Sequence, residues 1–182
     1  MKPLFLAGCA PLVACVAVAG CAPETGLRIT IDDGGAGLEN RLEKLELVLV
    51  ASQNVPTVQP DGSYFAYTCR PSREVFVGDD ASFPLVVTVR RGERFFWECV
   101  ALRVLGYSNA DDADPAIRAE ALYCEDIEDG IERVTLQLEE RCFGVPCDVG
   151  QLCHAADGGA ACGPSDVHRM FEAPPAVDDA CE

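Results

Sequence analysis

Cysteine is the residue of this chain with the most chemistry to offer. There are eleven. Cys9, Cys15 and Cys21 sit in or just after a long apolar run. Cys69, Cys99 and Cys124 are spread through the middle, and Cys142, Cys147, Cys153, Cys162 and Cys181 crowd the last 41 residues. Thiols ligate metals, attack electrophiles or pair with one another. The spacing Cys142-x4-Cys147-x5-Cys153-His154-x7-Cys162 can be drawn as a zinc site. Structural zinc sites bring their cysteines in tight Cys-x2-4-Cys pairs, however, so disulfides are the expectation.

Other chemistry is thin. The two histidines, His154 and His168, both lie in the cysteine-rich end, and neither Gly-x-Ser-x-Gly nor His-Glu-x-x-His occurs. No glycine-rich loop opens a helix to cradle a phosphate. Carboxylates cluster at Asp32-Asp33, Asp79-Asp80, Asp111-Asp112-Ala113-Asp114 and Glu125-Asp126-Ile127-Glu128-Asp129-Gly130. None follows the Asp-x-Asp-x-Asp-Gly order of a calcium loop, and Ile127 stands where a ligand is needed. They read as solvated turns. Paired-acid catalysis needs a cleft that sequence does not display. Phe95, Phe96 and Trp97 read as core packing, and Tyr67-Thr68-Cys69 comes too early for the tyrosine corner of antibody domains. No catalytic residue, cofactor ligand or metal ligand is assigned.

The chain has 182 residues and a formal charge of −16. Removing Lys2 with residues 1–20 takes it to −17. That balance opposes nucleic acid and anionic head groups and favours solubility. Apart from Lys2 and Lys44 every basic side chain is arginine, a bias that reads as genomic composition. Residues 21–182 suffice for one compact domain and a small appendage.

Over residues 26–140 the hydrophobic period is mostly two, the mark of half-buried strands. Candidate strands lie at 27–31, 45–50, 63–69, 84–90, 94–105, 116–124 and 131–138, and Leu38, Leu42 and Leu45 leave room for a short helix before the second. Seven strands at this spacing predict an antiparallel, immunoglobulin-like β-sandwich over 26–141. From Cys142 onward five cysteines are set among Gly, Ala, Pro and Asp with no strand of convincing length. Residues 142–182 therefore read as a small, irregular, disulfide-held segment, with 172–179 as an extended strap.

Val18-Ala19-Gly20-Cys21, behind an apolar run that opens Met1-Lys2-Pro3, resembles a lipobox. That resemblance implies a signal peptide at 1–20, cleavage before Cys21, acylation of its sulfur and amine, and a tether at 21–25. A transmembrane helix is opposed by Gly8 and Pro11 and by the small residues at the end of the run. An ordinary secretory cut after Ala17-Val18-Ala19 leaves nine cysteines, an awkward number for an oxidising compartment; lipidation consumes Cys21 and leaves eight. Together with Phe83-Pro84 before a central strand, Leu136-Gln137-Leu138-Glu139-Glu140-Arg141-Cys142, Cys147, Gly150-Gln151-Leu152-Cys153 and Cys162, the chain resembles uncharacterised cysteine-rich bacterial lipoproteins. The resemblance implies a cell-envelope location, and Ala22 rather than Asp after the cysteine implies the outer membrane. It implies no activity.

Pairing follows from layout. Cys142, Cys147, Cys153 and Cys162 are expected to pair among themselves. Their spacings resemble the first half of an EGF-like module, which implies Cys142–Cys153 and Cys147–Cys162. Cys99 and Cys124 lie on consecutive long strands, either as hairpin neighbours or across the sandwich, and both geometries allow a bridge. Cys69–Cys181 remains. The expected role is a non-catalytic surface or periplasmic binding or structural module, held to the membrane by lipid, with an unidentified protein or glycan ligand and no nucleic acid. The alternative is a carboxylate-based hydrolase of glycan or cell-wall polymer.

Overall fold

A computed structural model describes residues 25–52, 56–58, 60, 64–65, 69, 71–90, 98–124, 130–165 and 167–172. The chain is all-β. In order come β1 (Gly26–Asp32), β2 (Lys44–Ser52), β3 (Thr57–Val58), β4 (Tyr64–Phe65), β5 (Ser72–Val77), β6 (Leu85–Arg90), β7 (Cys99–Tyr107), β8 (Ile117–Tyr123), β9 (Ile131–Gln137), β10 (Gln151–Ala156) and β11 (Gly159–Pro164). The one α-helix among the described residues, α1 (His168–Glu172), follows.

Two sheets carry the core. One has the order β6-β1-β9, the other β5-β2-β7-β8. Alternation decides what they bury. Leu27, Ile29 and Ile31 of β1 meet Leu45, Leu47 and Leu49 of β2 and Val100, Leu102 and Val104 of β7, with Ile117 and Leu136 closing the sides. Fully burying such a side chain stabilises by roughly 1.5–3 kcal/mol, so this layer is the main source of folding free energy. Gly106 belongs to the same packing: a Cβ there would stand 2.7 Å from Ile117 Cγ2 and 2.9 Å from Leu42 Cδ1. The short helix left open before β2 is a 3-10 turn at Leu38–Asn40, which drives Leu38 into the core.

Several expectations are corrected. β1 and β9 run parallel, Gly26 opposite Ile131 through Asp32 opposite Gln137, so the sandwich is not antiparallel throughout. Parallel neighbours need a crossover, and here the whole intervening chain supplies it. β6, after the cis Phe83–Pro84 peptide, is an edge strand rather than a central one. The seven strands of the two sheets include β5, which the periodicity did not reveal. Of the strand expected at 63–69, residues 64–65 form β4, paired with β3, and 63 and 66–68 lie outside the described residues. The segment after Cys142 is not irregular, because β10 and β11 form an antiparallel hairpin with Gln151 opposite Pro164 and Ala156 opposite Gly159. Glu172 ends α1 instead of opening an extended strap; 173–179 lie outside the described residues, as do the expected signal peptide, Cys21 and residues 22–24, Phe95 to Trp97, the 125–129 loop and Cys181.

Candidate functional site

The described cysteines define how the second half of the chain is held. Cys99 and Cys124 form a disulfide with a Cα separation of 4.1 Å, one step beyond the Val100–Tyr123 rung of the β7–β8 ladder, which makes them hairpin neighbours. Cys142 bonds Cys153 and Cys147 bonds Cys162, at 5.6 and 5.7 Å. Cys153 and Cys162 face each other in the β10–β11 ladder, yet each reaches down to the loop before the hairpin instead of across to its neighbour. The hairpin is thereby riveted to the 142–147 loop, and that loop is fixed to the sandwich by the Gly144 N–H donating to the Ala116 carbonyl at 2.7 Å. Cys69 is also disulfide-bonded.

This arrangement lays the hairpin beside β8, an edge strand of the larger sheet, and leaves two adjoining cavities of about 290 and 400 Å³. They share Arg118, Leu152 and Cys153. The larger is lined by Glu120 of β8, by Thr135 and Gln137 of β9, by Glu139 and by His154. Arg118 is half-buried and makes no hydrogen bond or ion pair among the described residues. A cation, two neutral hydrogen-bonding side chains, two carboxylates and an imidazole surround an open cleft. With both oxygens of Glu120 engaged by Arg103 and Ser165, these are groups for recognition.

Among the described residues, serine, histidine and a carboxylate come together in a cluster that shares Glu120 with this cleft and lies on the outer face of the larger sheet. Arg103 Nε donates to Glu120 Oε1 at 2.6 Å across the β7–β8 ladder. Ser165 donates its hydroxyl proton to the other oxygen of Glu120, while its Oγ accepts the His168 N–H at 3.2 Å and caps α1. Arg103 Nη2 lies 2.8 Å from His168 Nδ1; a guanidinium only donates, so Nδ1 accepts and Nε2 carries the proton toward Glu172 Oε1 at 3.0 Å. The imidazole thus faces Arg103 and Glu172, with only its backbone N–H on the serine. Burial lowers the Arg103 guanidinium, and the Glu120 charge opposes that shift. With Phe171 under Arg103 at 3.9 Å and Met170 against Val50 and Ala101, the cluster fixes α1 to the sheet.

Elsewhere on that face Glu46 is 6 % exposed. Its Oε2 accepts from Tyr107 at 3.1 Å, and its Oε1 lies 2.5 Å from Arg73 Nε as an ion contact off the hydrogen-bond axis. Burial and the Glu46 carboxylate push the Tyr107 hydroxyl up to about 12. Asp33 shapes the loop after β1 by accepting the N–H groups of Gly35 and Leu38 at 2.9 and 2.8 Å. Burial raises its carboxyl, but these backbone donors outweigh burial and hold it below the usual carboxylate range.

Among the described residues no three His, Cys, Asp or Glu side chains are placed to share a metal ion, and no helix is long and apolar enough to cross a membrane. Sequence reading overlooked Arg103, Glu120, Arg118 and Ser165. The available signal was pairing: folding 99–107 back on 117–123 sets Arg103 opposite Glu120. No protein-family model, curated protein or solved structure matches this chain.

Proposed function

We propose that the chain is a lipoprotein, acylated on Cys21 and held at the outer membrane of a cell envelope, where it serves as a non-catalytic binding or structural module. The observation that carries the reading is cysteine use. Cys99, Cys124, Cys142, Cys147, Cys153 and Cys162 pair with one another, and structural disulfides persist in oxidising, extracytoplasmic space. Val18-Ala19-Gly20-Cys21 supplies the anchor, and acyl chains at about 0.8 kcal/mol per buried CH₂ make it durable. The non-catalytic reading is supported by the way Glu120, Ser165 and His168 spend their polar atoms on Arg103 and the cap of α1.

Four residues, 22–25, separate the anchor on Cys21 from β1, a span of roughly 17 Å when extended over five residues, so the body of the protein rides close to its membrane. Cys21→Ser is the test. The variant is expected to leave the membrane fraction or to keep its signal uncleaved. A normally processed variant that still pellets with membranes would overturn the anchor.

A further inference from the structure

The outer face of the β6-β1-β9 sheet is unlike the rest of this acidic molecule. Because Leu27, Ile29 and Ile31 point into the core, Arg28 and Thr30 point away from it; Thr88 and Val86 of β6 and Arg133 and Thr135 of β9 flank them. The rows read Thr88, Arg28, Arg133 and then Val86, Thr30, Thr135. Beyond them Arg90 and Ile131 stand on either side of Gly26. That position stays bare, since a Cβ would sit 2.2 Å from the Val89 carbonyl oxygen.

Arg28 and Arg133 are cross-strand neighbours, about 4.8 Å apart at the backbone. Like charges so placed destabilise a sheet. Both are exposed, and neither makes an ion pair or hydrogen bond among the described residues. On the opposite sheet, by contrast, Arg73 faces Glu46 and Arg103 faces Glu120. Asp32, the acid at the end of this face, accepts the Gly34 N–H.

We infer that this face binds an acidic polysaccharide, with an oxyanion of the polymer bridging Arg28 and Arg133 and the hydroxyls of Thr30, Thr88 and Thr135 meeting the sugar hydroxyls; the inference rests on the binding-module reading and names its ligand class. Two guanidiniums one strand apart grip a carboxylate or sulfate through charge-assisted hydrogen bonds. Threonine hydroxyls donate and accept, as sugar hydroxyls do. A polymer lying on the sheet responds to the local charge, because interactions are screened beyond about 8 Å at physiological salt. A planar anionic bilayer would meet the −16 of the whole chain, and the described part of this face has no aromatic on which bases could stack.

The test uses the full chain in nonionic detergent, titrated with polygalacturonate, heparin, uncharged dextran and glycerophosphoglycerol, the soluble headgroup of phosphatidylglycerol. The wild type is expected to bind both acidic polymers, more weakly as salt rises, and to ignore dextran. Arg28→Thr combined with Arg133→Thr is expected to weaken binding about ten-fold or more, with Arg41→Ala as an unaffected control. Arg133→Gln alone is expected to weaken it several-fold. Without polymer the double variant melts no lower than wild type, because a repulsive pair has gone. Failure to bind either polymer, undiminished binding by the double variant, a lowered melting temperature without polymer, or preferential binding of the lipid headgroup would each overturn the inference. None of these outcomes bears on Cys21, whose fractionation test is separate.

Discussion

The two-sheet body and the β10–β11 hairpin solve the same problem with opposite means. In the body, Leu and Ile from facing sheets are buried to 0 % exposure, and hydrophobic burial offsets the entropy of ordering the chain. No residue of β10 or β11 is buried. There two disulfides, closing separations of 11 and 15 residues, do what a core does elsewhere. A fold can therefore place a clefted appendage on a well-packed scaffold without extending the hydrophobic core, provided the compartment keeps thiols oxidised.

Substitutions break that contrast in graded steps. Leu102→Ala empties a fully buried site between the sheets and is expected to lower global stability by about 2–5 kcal/mol, read by denaturant unfolding, with all strands lost together. Removing Cys147–Cys162 with a double Ala substitution is expected to cost about 3 kcal/mol by loop-closure entropy, confined to the hairpin. Hydrogen exchange is the measurement: β10 and β11 amides lose protection while β2 and β7 keep theirs. Equal loss in both regions would merge them into one cooperative unit.

Asp33→Asn tests a polar hinge of the body and is expected to cost about 1–3 kcal/mol near neutral pH. The folded carboxyl lies below its unfolded value of about 3.9. Its contribution is therefore present above that value and disappears as pH falls through the lower, folded one. The wild type loses stability more steeply than the variant on the acid side, and the gap between them closes there; a constant gap down to pH 2 contradicts the assignment. Smallest of all is Arg41→Ala at the seam. The side chain covers the Phe143 ring at 3.7 Å and pairs with Glu140 at 3.6 Å, but Arg41 and Glu140 are themselves exposed, so less than about 1 kcal/mol is expected.

Legibility followed burial. Residues 27–31, 45–50, 84–90, 116–124 and 131–138 alternate because one face of each meets the core, and strands are found there. β5 was missed because Ser72-Arg73-Glu74-Val75-Phe76-Val77 places polar and apolar side chains on both faces; only Phe76 packs on the core, and Val75 and Val77 remain half exposed. The hairpin was missed because its strands bury nothing, although Asp157-Gly158 between Ala156 and Gly159, with Gly158 at φ 91°, is a turn signal readable in the sequence. The cleft and the Arg28–Arg133 pair depend on which strands are neighbours. β1 and β9 lie too far apart along the chain for local pattern to pair them.

That parallel pairing has a mechanical consequence. Tension between the segment before Gly26 and the chain beyond Gln137 pulls β1 from its first residue and β9 from its last. The two strands run side by side in register over seven residues, so such a pull acts along their length and loads every rung together instead of opening them one at a time. A molecule tethered through the residues before β1 and tugged through whatever lies after β9 would resist in shear, its weakest direction turned away from the load.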